Sequence, residues 1–108
     1  MNPRIPADYE EVGRWLRSFA ASHGKREDSR LEASVEMGDA REGRSYGLRF
    51  VLGSLTSPPP GEPPAELGYR EVAEGRTRFA WCEALAERIR RDAHRLSEVV
   101  KPGGSGAA

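Results

Sequence analysis

The chain has 108 residues, in which 17 Lys and Arg balance 17 Asp and Glu, and it contains a single cysteine. This length is typical of one domain with one modest core, and the zero net charge excludes a strong overall attraction to nucleic acid or to an anionic membrane. One cysteine excludes an internal disulfide framework and favours a cytoplasmic location. We expect neither a membrane span nor a signal peptide, because no apolar run is long enough.

The first predicted element is an amphipathic helix over residues 8–22, which follows a short lead at residues 1–7. Its apolar residues recur three and four positions apart, the spacing that puts them on one helix face. Asp8 and Glu11 match a capping box, and Gly24 fits the position just beyond a helix end. We therefore expect one face of this helix to be buried.

Two runs of alternating apolar and polar residues follow, at 31–37 and 46–53. Alternation with a period of two predicts strands that bury one face, and the short polar connection predicts an antiparallel hairpin. In such a hairpin Glu32 and Glu36 lie near Arg49 on the outer face, where opposite charges favour the pairing.

Residues 54–66 contain five of the eight prolines. Proline cannot donate a hydrogen bond to a sheet ladder, so this segment is expected to be an extended surface loop. A plain linker is the favoured interpretation. The alternative is a polyproline-type ligand for an aromatic groove on another protein.

A third strand is predicted at residues 67–73, with Leu67 and Tyr69 pointing inward, and Gly75 follows it as a break. The alternation of apolar and polar residues is shorter here than in the first two strands. We expect this strand to complete the sheet.

The last helix carries the clearest pattern in the chain. It begins after Thr77, a predicted cap, and ends before Pro102, where a flexible tail over residues 102–108 starts. Its apolar residues fall within about 120° of arc around the helix axis, which predicts a buried stripe. The stripe consists of Phe79, Cys82, Leu85, Ala86, Ile89, Ala93, Leu96 and Val100.

These elements predict an α+β fold in the order α-β-β-β-α over residues 8–101. Two helices cover one face of a three-stranded antiparallel sheet, which makes a two-layer sandwich. The opposite face is expected to be flat and mostly polar, and two sheet edges are expected to stay open to a second copy of the chain. The predicted outer face comprises Glu32, Ser34, Glu36, Arg49, Val51 and Arg70, with Val72 if it points the same way.

No motif in the sequence predicts catalysis, a metal site or a cofactor site. His23 is expected to be a capping or half-buried residue at the end of the first helix, and His94 is expected on the solvent side of the last helix. Cys82 lies at the centre of the apolar stripe and is expected in the core. We therefore predict that the protein is not an enzyme. The weaker alternative is an enzyme with its site in the cleft between the sheet and the helices, for which no pair of base and nucleophile can be named.

One surface pattern favours binding. Arg88, Arg91 and Arg95 form a stripe along one flank of the last helix, and Trp81 is in line with it. Arginine and tryptophan are frequent both in protein interfaces and in contacts with nucleic acid. The alternative is a solvated helix face, in which Glu87 pairs with Arg91. The candidate binding surface comprises Arg76, Arg78, Trp81, Arg88, Arg91 and Arg95, with Arg49 and Val51 on the sheet.

The element order resembles that of double-stranded-RNA-binding domains, and the segment 75–80, Gly-Arg-Thr-Arg-Phe-Ala, is similar to the basic helix start of that family. The resemblance covers most of the chain by topology and only this segment by motif. It implies contacts between the start of the last helix and RNA phosphates. Small secretion-chaperone domains have a comparable helix-flanked sheet, which implies a protein-binding role instead.

Our leading hypothesis is a non-enzymatic protein-interaction module, an adaptor or chaperone-like protein whose partner is another protein or a second copy of itself. The alternative is a nucleic-acid-binding domain that uses the arginine flank of the last helix. Neither hypothesis requires a cofactor, a metal or a membrane.

Overall fold

The computed structural model of the protein describes residues 5–100, without the side chain of Val100, and has three α-helices and four strands. The predicted tail at 102–108, and part of the predicted lead at 1–7, lie outside the described residues. The elements in chain order are α1 (Tyr9–Gly24), β1 (Glu32–Glu36), a 3-10 turn (Asp39–Arg41), β2 (Ser45–Leu52), β3 (Leu55–Ser57), β4 (Ala65–Gly68), α2 (Tyr69–Gly75) and α3 (Phe79–Val100). The predicted α+β class with an antiparallel sheet is confirmed.

Strand β2 is the centre of the sheet and pairs antiparallel with the other three strands. On one side it pairs with β1, from Glu32 opposite Val51 to Glu36 opposite Gly47. On its other side, the C-terminal half of β2 pairs with β3 and the N-terminal half with β4. Two short strands therefore share the position that we predicted for a single third strand.

Helices α1 and α3 cover the face of the sheet that carries the inward residues of β2. The alternating pattern of β2 buries every second side chain, and the stripes of α1 and α3 close over them, as their helical spacing predicts. None of the described helices is long and apolar enough to cross a membrane. The core consists of Tyr9, Val12, Leu16, Ala20, Leu31, Tyr46, Leu48, Phe50, Leu52, Leu67, Val72, Leu85, Ile89, Ala93 and Leu96.

The strand predicted at 67–73 is wrong, because the chain leaves the sheet after Gly68 and forms α2. The Gly68 N–H donates to Glu71 Oε1 at 3.3 Å, an arrangement that favours a helix start. Leu67 is inward as predicted, whereas Val72 is fully buried against the core. Val72 is therefore not part of the outer sheet face, and Arg70 lies exposed on α2 rather than on the sheet.

The prediction of an unbroken loop over residues 54–66 is also wrong. Its first part contains β3 and its last two residues begin β4, so only Ser54 and residues 58–64, which hold all five prolines, remain outside the sheet. The interruption lies opposite Arg49, since Phe50 pairs with Ser57 and Leu48 pairs with Ala65. Prolines at this position leave a gap in the ladder because they lack an N–H.

Three predictions about helix ends are wrong. Asp8 makes no capping hydrogen bond, because its carboxylate accepts the Tyr69 hydroxyl instead, and Gly24 is the last residue of α1. The Thr77 hydroxyl donates back to the Glu74 carbonyl instead of accepting a hydrogen bond from an N–H at the start of α3. Phe79 is 80% exposed, because side chains point toward the helix N-terminus and this first residue of α3 extends beyond the packed turns.

Candidate interaction surfaces

The three arginines of the predicted flank lie exposed along α3. Arg88, Arg91 and Arg95 form no ion pair within residues 5–100, and the expected pair between Glu87 and Arg91 is absent there. Their spacing keeps them on one side of the helix, next to its buried stripe. This flank therefore presents positive charge that no described carboxylate neutralises.

Trp81 is half-buried and packs within the protein rather than standing free. Its ring lies 6.3 Å from that of Trp15, and the two planes are tilted by 31°. The ring also lies against Gly75, where any Cβ would overlap it, so this glycine is required for the close approach of α2 to α3. The exposed part of Trp81 lines a small hollow with Arg88, Leu67 and other residues.

A larger groove, here called the α3 groove, opens between α3 and the interrupted edge of the sheet. Its volume is about 350 Å³. Leu48, Phe50, Leu85 and Ile89 form its floor, Pro58, Pro59 and Glu62 form one rim, and Arg88 and Asp92 form the other. The gap between β3 and β4 creates this groove, because a continuous strand there would close it.

Arg88 is the one residue of the predicted surface that reaches both hollows. It lines the α3 groove and the smaller hollow beside Trp81. Among the other arginines of the predicted surface, Arg76 is half-buried after α2, and Arg78 is exposed before α3. The structure thus brings Trp81 and Arg88 together at one site.

Arg49 lies on the outer sheet face, and its guanidinium binds other parts of the same chain. Its Nε donates to Glu36 Oε2 at 2.9 Å, and its Nη atoms donate to the carbonyls of Pro58, Pro59 and Glu62 at 2.8–3.1 Å. The guanidinium therefore holds the proline-rich loop against the sheet, and the sequence prediction that Glu36 lies near Arg49 is confirmed. Val51 is half-buried on the same face, opposite Glu32 and Thr56.

A second arginine, which we did not select from the sequence, extends this network. Arg41 is the last residue of the 3-10 turn after β1, and it binds Glu66 through two hydrogen bonds of 2.6 and 3.0 Å. It also donates to Ser45 Oγ at 3.0 Å and lies 3.5 Å from Glu36. The Arg41 guanidinium lowers the pKa of Glu66. Because Arg41 and Glu66 are 25 residues apart in the chain, no local pattern in the sequence predicts that they pair.

The opposite sheet edge borders a second groove, here called the β1 groove. It lies between α1 and β1, has a volume of about 380 Å³, and is lined by Gly13, Arg14, Arg17, Ala33, Ser34, Val35 and Met37. Gly13 is buried, and a Cβ there would overlap Met37 Sδ and approach Tyr46 Cε1 to 2.9 Å. Absence of a side chain at Gly13 therefore lets Met37 fill the space between helix and sheet.

The cysteine and the two histidines lie in separate environments. Cys82, which we predicted in the core, is only half-buried, and its thiol lies 3.6 Å from the carbonyl oxygens of Gly75 and Arg76. His23 contacts Arg90 at 3.4 Å, and burial, followed by the charges of Arg26 and Arg90, lowers its pKa. His94 is exposed, as predicted, and lies 3.3 Å from Glu27. Within the described part of the chain, no group of three or more His, Cys, Asp or Glu could hold a metal ion.

Comparisons of the chain with models of known protein families, with curated proteins and with solved structures find no match.

Proposed function

We propose that the protein is a small, non-enzymatic interaction module, of adaptor or chaperone-like type, that binds another protein through the α3 groove. The observation that carries this proposal is the position of Arg88 between two adjoining hollows, with Trp81 beside it. Arginine and tryptophan next to an apolar depression are typical of the residues that dominate protein interfaces.

The chemistry of the α3 groove defines what a partner must supply. Its floor is apolar, while Arg88 and Asp92 place a cation and an anion one helical turn apart on the rim. No ion pair joins these two side chains in the described structure, so both can bind external groups. We expect a partner that inserts an apolar side chain and offers a carboxylate to Arg88.

The test is affinity capture with the tagged full-length chain, in wild-type form and as Arg88→Glu. Charge reversal at the rim of the groove should remove a specific partner, because an unpaired charge is left in the interface. The matched control is Arg91→Glu, which changes the same charge one turn away and outside the groove. A partner set that survives Arg88→Glu unchanged would contradict this function.

A second copy of the chain is an alternative occupant of the surface. Sedimentation velocity over a range of protein concentrations separates the two cases. A concentration-dependent dimer that Arg88→Glu abolishes would assign the α3 groove to self-association. A monomer at every concentration would leave a different protein as the partner. We place this interaction in the cytoplasm, consistent with the single half-buried cysteine.

Nucleic-acid binding is the second candidate function, and the unpaired arginine flank favours it. Arg88, Arg91 and Arg95 could each contact a phosphate along one strand. Binding to duplex RNA or DNA should then weaken with salt, with a slope of about −0.9 in log affinity per phosphate contact on duplex DNA. A gel-shift titration at low salt with no complex would exclude this candidate.

A further inference from the structure

The β1 edge of the sheet is an unpaired strand. Among the described strands β1 pairs only with β2, so its other side has no strand partner. Every second residue of an edge strand points its backbone N–H and C=O groups away from the sheet. Such an edge is a template on which a further strand can form.

The β1 groove supplies side-chain contacts directly beside this edge. Ala33 and Val35 are half-buried and share the face of β1 that points toward α1. Met37 continues that apolar surface, and a flexible methionine adapts to differently shaped side chains. An added strand would therefore place alternate side chains in a depression that is already apolar.

Two arginine side chains of α1 line the helical side of the same groove. Arg14 and Arg17 are exposed, and neither forms an ion pair in the part of the chain that the structure describes. Glu10 precedes Arg14 by one turn but is not among its contacts there. The groove thus complements a ligand that combines apolar side chains with a carboxylate.

Charge disfavours a second copy of this chain as that ligand. If two β1 strands paired antiparallel about Ser34, Glu32 of each copy would lie opposite Glu36 of the other. Like charges directly opposite each other destabilise a strand pair, but Arg49 and Arg41 already bind Glu36 and reduce that repulsion. The stronger ground is the face toward α1, where a second β1 strand would present Ala33 and Val35 and no carboxylate to Arg14 and Arg17.

We propose that the β1 groove binds an extended segment of another protein as an added strand. Apolar side chains at alternate positions face Ala33, Val35 and Met37, and an acidic side chain at one end binds Arg14 and Arg17. This inference rests on the proposed function as an interaction module, but it assigns a separate surface at the opposite sheet edge from the α3 groove.

The probe is a labelled synthetic peptide that alternates valine and threonine and carries one glutamate at one end, in phase with the valines so that it faces Arg14 and Arg17, titrated into the full-length chain by fluorescence polarisation. The Arg14→Glu/Arg17→Glu variant should lose affinity by about tenfold or more, the effect of reversing charges that face a carboxylate. The matched control, Arg91→Glu/Arg95→Glu, makes the same change of charge on α3 and should bind as the wild type does.

A second probe separates strand addition from plain electrostatics. The same peptide, methylated at alternate backbone nitrogens, keeps its charges but cannot donate to an edge strand, and we expect its binding to be lost in one of the two methylation registers. In wild-type protein, NMR amide signals should shift at residues 32–36 and along α1 near Gly13. This mapping needs no variant, so it remains informative even if a substitution impairs folding.

Several results would overturn the proposal: equal peptide affinity for wild type and the Arg14→Glu/Arg17→Glu variant, equal affinity for peptides methylated in either register, or amide shifts confined to the α3 groove. Failure of the peptide while Arg88-dependent capture persists would refute the β1 site and leave the proposed function intact. Failure of capture with a β1-dependent peptide complex would instead reject the α3 groove.

Discussion

The β1 edge of the sheet is one continuous strand of five residues, whereas the opposite edge is divided between β3, of three residues, and β4, of four. Prolines interrupt the divided edge, and Arg49 holds the loop that contains them against the sheet. Among the described strands, none pairs with the outer side of the continuous edge.

This difference bears on how a small sheet avoids unwanted pairing. Short edge strands and prolines both prevent edge-to-edge association, and the β3–β4 edge has both. The β1 edge contains no proline, and an identical strand would place no carboxylate beside Arg14 and Arg17, whereas a different strand can. The two edges therefore differ in what they exclude, and the predictions below test each of them.

The largest expected effect is at the divided edge, with Gly47→Val. Gly47 lies on the outer face of β2, where a Cβ would overlap Arg41 Nη2 and lie 2.6 Å from Pro64 Cγ. Overpacking here should lower the free energy of unfolding by about 3 kcal/mol and displace the loop. Urea denaturation measures the loss. Gly61→Ala, at a loop position with open space around it, is the control and should stay near the wild type.

Arg49→Met should be the next largest effect, because it removes the guanidinium that binds three loop carbonyls and Glu36. We expect a loss of about 2 kcal/mol in unfolding free energy, as for hydrogen bonds to a charged group. Amide exchange should rise in the loop but not in β1. Arg44→Met, which removes an exposed pair with Glu42, should change stability by less than about 0.5 kcal/mol.

At the continuous edge, Gly13→Ala should change the free energy of unfolding by less, because it makes one stabilising and one destabilising contribution. A helical alanine gains about 1 kcal/mol over glycine, but its Cβ would overlap Met37 Sδ and press on Tyr46, at a cost of about 1–3 kcal/mol. We expect a net loss of about 1 kcal/mol and a weaker peptide complex at the β1 groove. A more stable variant with unchanged binding would show that Met37 moves aside freely.

The smallest expected effect is a dependence of the unfolding free energy on pH. It arises where α1 meets α3, at the contact between His23 and Arg90. Burial and the nearby Arg26 and Arg90 lower the pKa of His23, so the unfolded chain takes up a proton at a higher pH than the folded chain does. Stability should therefore fall as the pH drops through the ordinary histidine range, at about 6.5, toward the lower folded value. Unfolding midpoints at pH 7.5 and 5.5 should differ less in His23→Gln than in the wild type.

The candidate surfaces were accessible to sequence analysis to different degrees. Arg88 and Trp81 could be selected because helical spacing alone places them beside a buried stripe. The β1 groove could not, because Gly13, Arg14 and Val35 become neighbours only when α1 packs against the sheet. Arg49 was assigned to the outer face correctly, but its hydrogen bonds to the loop depend on the path of the prolines.

Local patterns in the sequence determined the existence of α1, β1, β2 and α3, because the period of burial along each of them is set by the geometry of a helix or a strand. Tertiary structure alone decided the fate of residues 54–75. In this segment the local preferences for strand, loop and helix differ by less free energy than packing against the rest of the protein supplies. Leu67 and Val72 fit either a strand or a helix start, and burial against β2 and α1 chose between them.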